Sequence, residues 1–171
     1  MKETSCAIIG SPPLSFPWGY DENDEGCVAL KLLLLNKIFR LYKQGVKQFI
    51  VSLDSGIGLY AAEAVNVLRD SHADMELICY IPHEEQAVKW TPQLRDRYYA
   101  VLAKCTETEL TSAVKTPTCE LDAILDAIDQ AGTVLAVCSA EENGDINLSV
   151  ALRYAEKIGR GIVYIGKSRY F

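Results

Sequence analysis

This 171-residue chain is poor in histidine and in cationic residues. It has two His, and 17 Lys plus Arg against 23 Asp plus Glu, for a formal charge of −6. The shortage of cations argues against a protein that wraps polynucleotide, because phosphate contacts need clustered Lys and Arg. Nucleic acid is therefore not an expected partner. With only His72 and His83 available, a Cys/His zinc site is not expected. No C-x-x-C clip occurs among Cys6, Cys27, Cys79, Cys105, Cys119 and Cys138. A chain with a core of this size does not need disulfides, so these read as reduced structural thiols. Long apolar runs are also missing. The longest, Val28–Leu35, is broken by Lys31 and is too short to span a bilayer. No signal-peptide pattern is read, so the expectation is a cytoplasmic chain without a membrane partner.

The chain is 49% hydrophobic and 23% charged, which suits one globular domain with a sizeable core. No internal repeat, low-complexity linker or boundary divides residues 1–171. The stretch around which the chain is organised is Lys47–Glu63. Phe49-Ile50-Val51 reads as a buried strand, and Leu59 onward reads as the opening of a helix. Between them lie Ser52-Leu53-Asp54-Ser55-Gly56-Ile57-Gly58. A strand that passes through a Ser/Gly turn into a helix can hold an anion, because free amides and the positive helix end point into the turn. Gly56 and Gly58 would let the backbone come close. An ordinary βα turn carries the same residues.

On either side the pattern alternates. Ser5–Gly10 reads as a first strand ending at Gly10-Ser11, and Pro12-Pro13 forbid helix immediately after it. A loop rich in aromatics (Phe16, Trp18, Tyr20) leads to a helix over Glu25–Gln44. Its buried face is read as Val28, Leu32, Leu35, Ile38, Phe39 and Tyr42. Met75–Ile81 is a third strand closed by Pro82, and Thr91–Lys104 is a helix with Pro92 in its first position. Cys105–Thr111 alternates weakly. Glu120–Gln130 and Ile146–Ile158 read as helices, Thr133–Ser139 and Ile162–Ile165 as strands. This rhythm predicts an α/β fold: a single-domain, Rossmann-like, doubly wound and mostly parallel sheet with helices on both faces. His83-Glu84-Glu85-Gln86 follow a strand's carboxyl end, where open α/β sheets place ligands. His83 beside two Glu admits an acid–base reading or a solvated helix start. Trp90 lies near the same sheet end.

Three strand ends carry turns of one kind: Gly10-Ser11, Asp54-Ser55-Gly56 and Asn143-Gly144-Asp145. With Ala61, Ala62 and Glu63, with Ile81-Pro82, Gln86 and Trp90, and with the late run Gly144-Asp145-Ile146-Asn147 through Ala155, Gly159 and Ile162–Ile165, the chain resembles the SMF/DprA–LOG (SLOG) superfamily. The branch it resembles most is the YpsA-like one, of unknown function. The resemblance covers nearly the whole chain. It implies a doubly wound sheet and a nucleotide or nucleotide-derivative ligand, such as AMP, ADP-ribose or an NAD-like molecule, across the strand ends. On that reading the amides of Ser55 through Gly58, next to Asp54, take one phosphate, and Gly10 and Ser11 approach the ribose or base. Gly144 through Asn147 offer a second helix N-terminus, and Phe16, Trp18 or Trp90 covers the base. One arm of the superfamily, the LOG enzymes, is a nucleoside-monophosphate N-glycosidase (phosphoribohydrolase) with a P-G-G-x-G-T-x-x-E signature. Here the equivalent turn, Glu142 through Ser149, lacks the glycine pair and the glutamate. The carboxylates on offer for such chemistry are Asp54, Glu63, Glu84, Glu85 and Asp145, and the sequence selects none of them as catalytic. Superfamily members often pair, and the apolar helix face around Val28–Leu35 offers a homodimer surface or is wholly core.

Overall fold

A computed structural model of the chain describes residues 2–140 and 145–166. Six strands form one sheet: β1 (Ser5–Gly10), β2 (Gln48–Ser52), β3 (Glu76–His83), β4 (Glu107–Ser112), β5 (Thr133–Val137) and β6 (Gly161–Ile165). Their order is β4-β3-β2-β1-β5-β6 and every pairing is parallel. The central strands are near-continuous apolar runs because both faces of a parallel sheet are covered. Edge strand β4, ETELTS, is largely exposed, which is why its sequence signal is weak.

The helices α1 (Glu25–Lys43), α2 (Ile57–Arg69), α3 (Pro92–Lys104), α4 (Cys119–Gln130) and α5 (Ile146–Lys157) connect successive strands. Side-chain alternation along each strand separates two cores. Cys6, Ile8, Phe49, Val51, Leu77 and Cys79 pack beneath α1, α2 and α3. Ala7, Ile9, Ile50, Ile78, Val134 and Ala136 pack against α4 and α5. The fold is thus the expected doubly wound α/β architecture, with its topological switch between β1 and β5.

Two local expectations are corrected. Pro12-Pro13 do not exclude all helix: Pro13–Ser15 form a short 3-10 turn with Pro13 in the first position, where its missing N–H costs nothing. In α1 the buried stripe is Cys27, Leu30, Leu34, Ile38 and Leu41. Val28 and Leu32 lie on the exposed side. This helix is apolar almost all round, so spacing alone fits two stripes, and the packing partner beneath decides between them. Among the described residues no helix is long and apolar enough to cross a membrane. None of the six cysteines is joined in a disulfide.

Candidate functional site

Ligands of doubly wound sheets sit beyond the carboxyl ends of the strands, commonly at the switch point. Here the switch point is closed by the chain itself. Ser11 N–H donates to Val137 O and Ser139 N–H donates to Ser11 Oγ, each at 2.9 Å, while Ser139 Oγ donates to Ser15 O. Ser11 and Ser139 are both buried. Gly10 is needed for close packing, since a Cβ there would lie 2.6 Å from the Ile57 side chain.

The open space lies to one side, over the ends of β1 to β4, in a cleft of about 780 Å³. That falls within the usual range for small-molecule sites. The β1–α1 loop forms one wall through Pro12, Pro13 and Tyr20, and Tyr20 Oη reaches Ser55 Oγ at 3.0 Å. The β3–α3 segment, Pro82 to Trp90, forms the opposite wall. It is tied down by Gln86, whose Nε2 donates to Leu53 O and whose Oε1 is buried without a partner among the described residues. Trp90 stands edge-on to Tyr98, with ring centroids 5.2 Å apart. Ala113, Val114 and Lys115 after β4, Glu120 and Ile124 of α4, and Asp145 and Asn147 at the start of α5 complete the lining.

The turn from β2 into α2 differs from the expected anion cradle. Asp54 Oδ1 accepts the amides of Gly56 at 2.8 Å and Gly58 at 3.0 Å. The helix's own aspartate therefore occupies the positive end that a phosphate would use. The glycines serve packing: a Cβ on Gly58 would lie 2.4 Å from Ser52 O, and one on Gly56 would lie 2.7 Å from Pro13 Cγ. The second helix start is occupied in the same manner, since Asp145 Oδ2 accepts Leu148 N–H at 3.2 Å. The expectation that the amides of residues 55–58 wait free for an anion is corrected for Gly56 and Gly58. The physical reason is that an Asp three residues ahead of the first helical residue fits those donors as well as a ligand does.

The Asp54 carboxyl is pushed up to about 6, chiefly by burial. The Gly56 and Gly58 amides oppose that shift, and the nearby Glu120 and Asp145 carboxylates add to it. Asp145 is also raised, first by burial and then by Glu120, against its own helix amides. With Glu84 and Glu85, five carboxyl groups line the cleft, against the two lysines Lys89 and Lys115.

Of the residues singled out from sequence, Gly10, Asp54, Ser55, His83, Trp90 and Asn147 line this cleft. Ser11 is turned inward at the switch point. Trp18 stacks on Phe16 at 5.0 Å and lies against the first turn of α1, where a Cβ on Gly26 would meet its ring. Glu63 faces α3 and is held by Arg97 at 2.7 Å, in a cluster that also includes Glu22. Gly144 lies outside the described residues. Lys89, Lys115 and Glu120 were not singled out. Each follows or begins an element at the carboxyl edge, but β4 is so polar that the loop after it did not register as a strand end.

The model of the YpsA family, described as the YspA SLOG family, matches residues 8–148. A UPF0398 protein of Halalkalibacterium halodurans is 30% identical over 83 residues, covering 48% of this chain and 44% of that protein. The UPF0398 protein YpsA of Bacillus subtilis is 29% identical over 99 residues, 57% of this chain and 54% of its own length. A UPF0398 protein of Bacillus licheniformis is 30% identical over 104 residues, 60% of this chain and 56% of its own. The matched stretch thus spans about half the length of these relatives.

Proposed function

The chain belongs to the YpsA family of SLOG proteins, and on that premise we propose that it binds a nucleotide or nucleotide derivative in the cleft over β1 to β4. The observation that carries the reading is the cleft itself. It has small-molecule size, lies at the carboxyl edge of a doubly wound sheet, and mixes aromatic walls with a few convergent polar groups. Its charge pattern divides the ligand. The carboxylates of Asp54, Glu120 and Asp145 suit a ribose, whose hydroxyls would donate hydrogen bonds to them. Lys89 and Lys115 suit the phosphate, on the side of the cleft where α4 begins and where Thr118 makes no side-chain cap hydrogen bond. Trp90 or Tyr20 offers a ring face to the base.

A thermal-shift series with AMP, ADP-ribose and NAD tests this. A ligand at about 100 times its dissociation constant adds about 2.7 kcal/mol of stability and raises the melting temperature accordingly. No movement with any of the three overturns the proposal.

One observation favours a second reading, hydrolysis of a nucleoside-monophosphate N-glycosidic bond. Asp54 offers a carboxyl raised to about 6 inside the cleft, with one oxygen fixed by two amides. Such a group can pass a proton to a departing base near neutral pH. Release of free base from AMP that disappears in Asp54→Asn supports it, and absence of release in the parent protein dismisses it.

A further inference from the structure

Two cysteines far apart in the chain meet under α3, away from the cleft. Cys79 lies on β3 and packs in the core beneath α1, α2 and α3. Cys105 caps the carboxyl end of α3, where its N–H donates to Val101 O at 2.9 Å, and it packs against the same core. The residue after it is pinned to β3 close to Cys79. Thr106 N–H donates to Leu77 O at 2.8 Å, and Leu77 N–H donates to Thr106 Oγ1 at 3.0 Å. The two thiols are thereby brought within hydrogen-bonding reach of each other. Arg69, at the end of α2, donates to Lys104 O, Met75 O and Asn66 Oδ1, which holds its guanidinium near Cys105. Tyr98 of α3 is a further titratable neighbour of Cys79. Of the six cysteines, five are buried and Cys105 is partly exposed. The hydrogen bond from Cys79 and the Arg69 charge draw the Cys105 thiol down to about 7 against its partial burial, while the same contact and burial push Cys79 up.

We propose that Cys79 and Cys105 form an oxidation site for a hydroperoxide, in which Cys105 takes the oxygen and Cys79 resolves it as an internal disulfide. The Cys105 thiolate attacks one peroxide oxygen, the O–O bond breaks, and the other oxygen leaves with a proton as water or an alcohol. Cys105 is then a sulfenic acid. The Cys79 sulfur attacks the Cys105 sulfur, the S–O bond breaks, and the departing oxygen carries off the Cys79 proton as water. Two thiols are oxidised by two electrons and the peroxide is reduced by two. The exposed member of the pair is the one that ionises, and the buried member is held beside it, which is the arrangement of an attacking and a resolving cysteine. The site is independent of what the cleft binds.

Treatment of the whole chain with a slight excess of hydrogen peroxide tests the assignment. Free thiols counted after denaturation should fall from six to four, and dithiothreitol should restore them. Peptide mapping should find Cys79 joined to Cys105 within one chain. In Cys79→Ser, Cys105 should stop at the sulfenic acid and be trapped by dimedone. In Cys105→Ser, the remaining thiols should survive the same treatment. Iodoacetamide should alkylate Cys105 about threefold faster at pH 7 than a cysteine in an unstructured peptide, with a midpoint near pH 7. Cys79→Ala should move that midpoint toward the ordinary thiol value of about 8.5. A parent that keeps all six thiols, a bridge formed elsewhere or between chains, or Cys105 oxidised with Cys79 left as a thiol overturns the proposal. So does an alkylation midpoint that Cys79→Ala leaves unmoved.

Discussion

The turn after β2 and the ends of β3 and β4 lie side by side at the same edge of the sheet, yet they behave oppositely. The β2 turn has the composition expected of a ligand loop, Asp-Ser-Gly-Ile-Gly, and it satisfies itself. Asp54 caps α2, and Gly56 and Gly58 relieve contacts with Pro13 and Ser52. The ends of β3 and β4 have unremarkable sequences and leave the open space, with Trp90, Lys89 and Lys115 around it. A glycine turn at a helix start is thus a statement about backbone packing first. Whether it receives an anion depends on whether a neighbouring carboxylate has taken the amides.

The contrast can be broken at its packed side most severely. Gly58→Ala forces a Cβ to 2.4 Å from Ser52 O and should cost about 3 kcal/mol or more, a fall of roughly 10 °C in melting temperature. A melting temperature within a degree or two of the parent would show that the glycine is not a packing requirement. Asp54→Ala removes the cap and should cost about 1–2 kcal/mol, while freeing two amides. If the turn only lacks an anion because Asp54 is there, inorganic phosphate should stabilise this variant and leave the parent unmoved.

The same residue sets a pH dependence. Its folded pKa is raised to about 6, above that of the unfolded chain, so the native state holds the proton more tightly. Stability from this group is therefore full below about pH 4 and falls by about 2 kcal/mol as pH rises to about 6. Asp54→Asn should flatten that part of the curve in chemical denaturation, and an unchanged slope would count against the assignment. Arg97→Ala leaves the half-buried Glu22 and Glu63 without their shared partner and should cost about 1 kcal/mol. On the open side, Lys115→Ala should leave the fold intact and weaken nucleotide binding about fivefold, with adenosine binding unaffected. Equal losses for AMP and adenosine would place the phosphate elsewhere.

The fold was largely legible because β-branched apolar runs such as Phe49-Ile50-Val51 and Thr133–Val137 mark strands buried on both faces. β4 was hard to read because an edge strand need not be apolar. The register of α1 was not legible, since a helix with leucines at 30, 32, 33, 34 and 35 offers more than one stripe. The site was legible in part. The carboxyl edge, His83 and Trp90 followed from topology, whereas the role of Asp54 could not be read from spacing. An aspartate that caps its own helix and one that flanks a bound phosphate produce the same string of letters. Glu63 looked available until the fold brought Arg97, 34 residues away in sequence, against it.

The most direct measurement is an amide chemical-shift map of the protein titrated with AMP or ADP-ribose. The largest changes should fall on residues 84–90 and 113–115, with the Gly56 and Gly58 amides little moved because Asp54 still holds them. Shifts concentrated at Gly56 and Gly58, or no shifts with either nucleotide, would contradict the account.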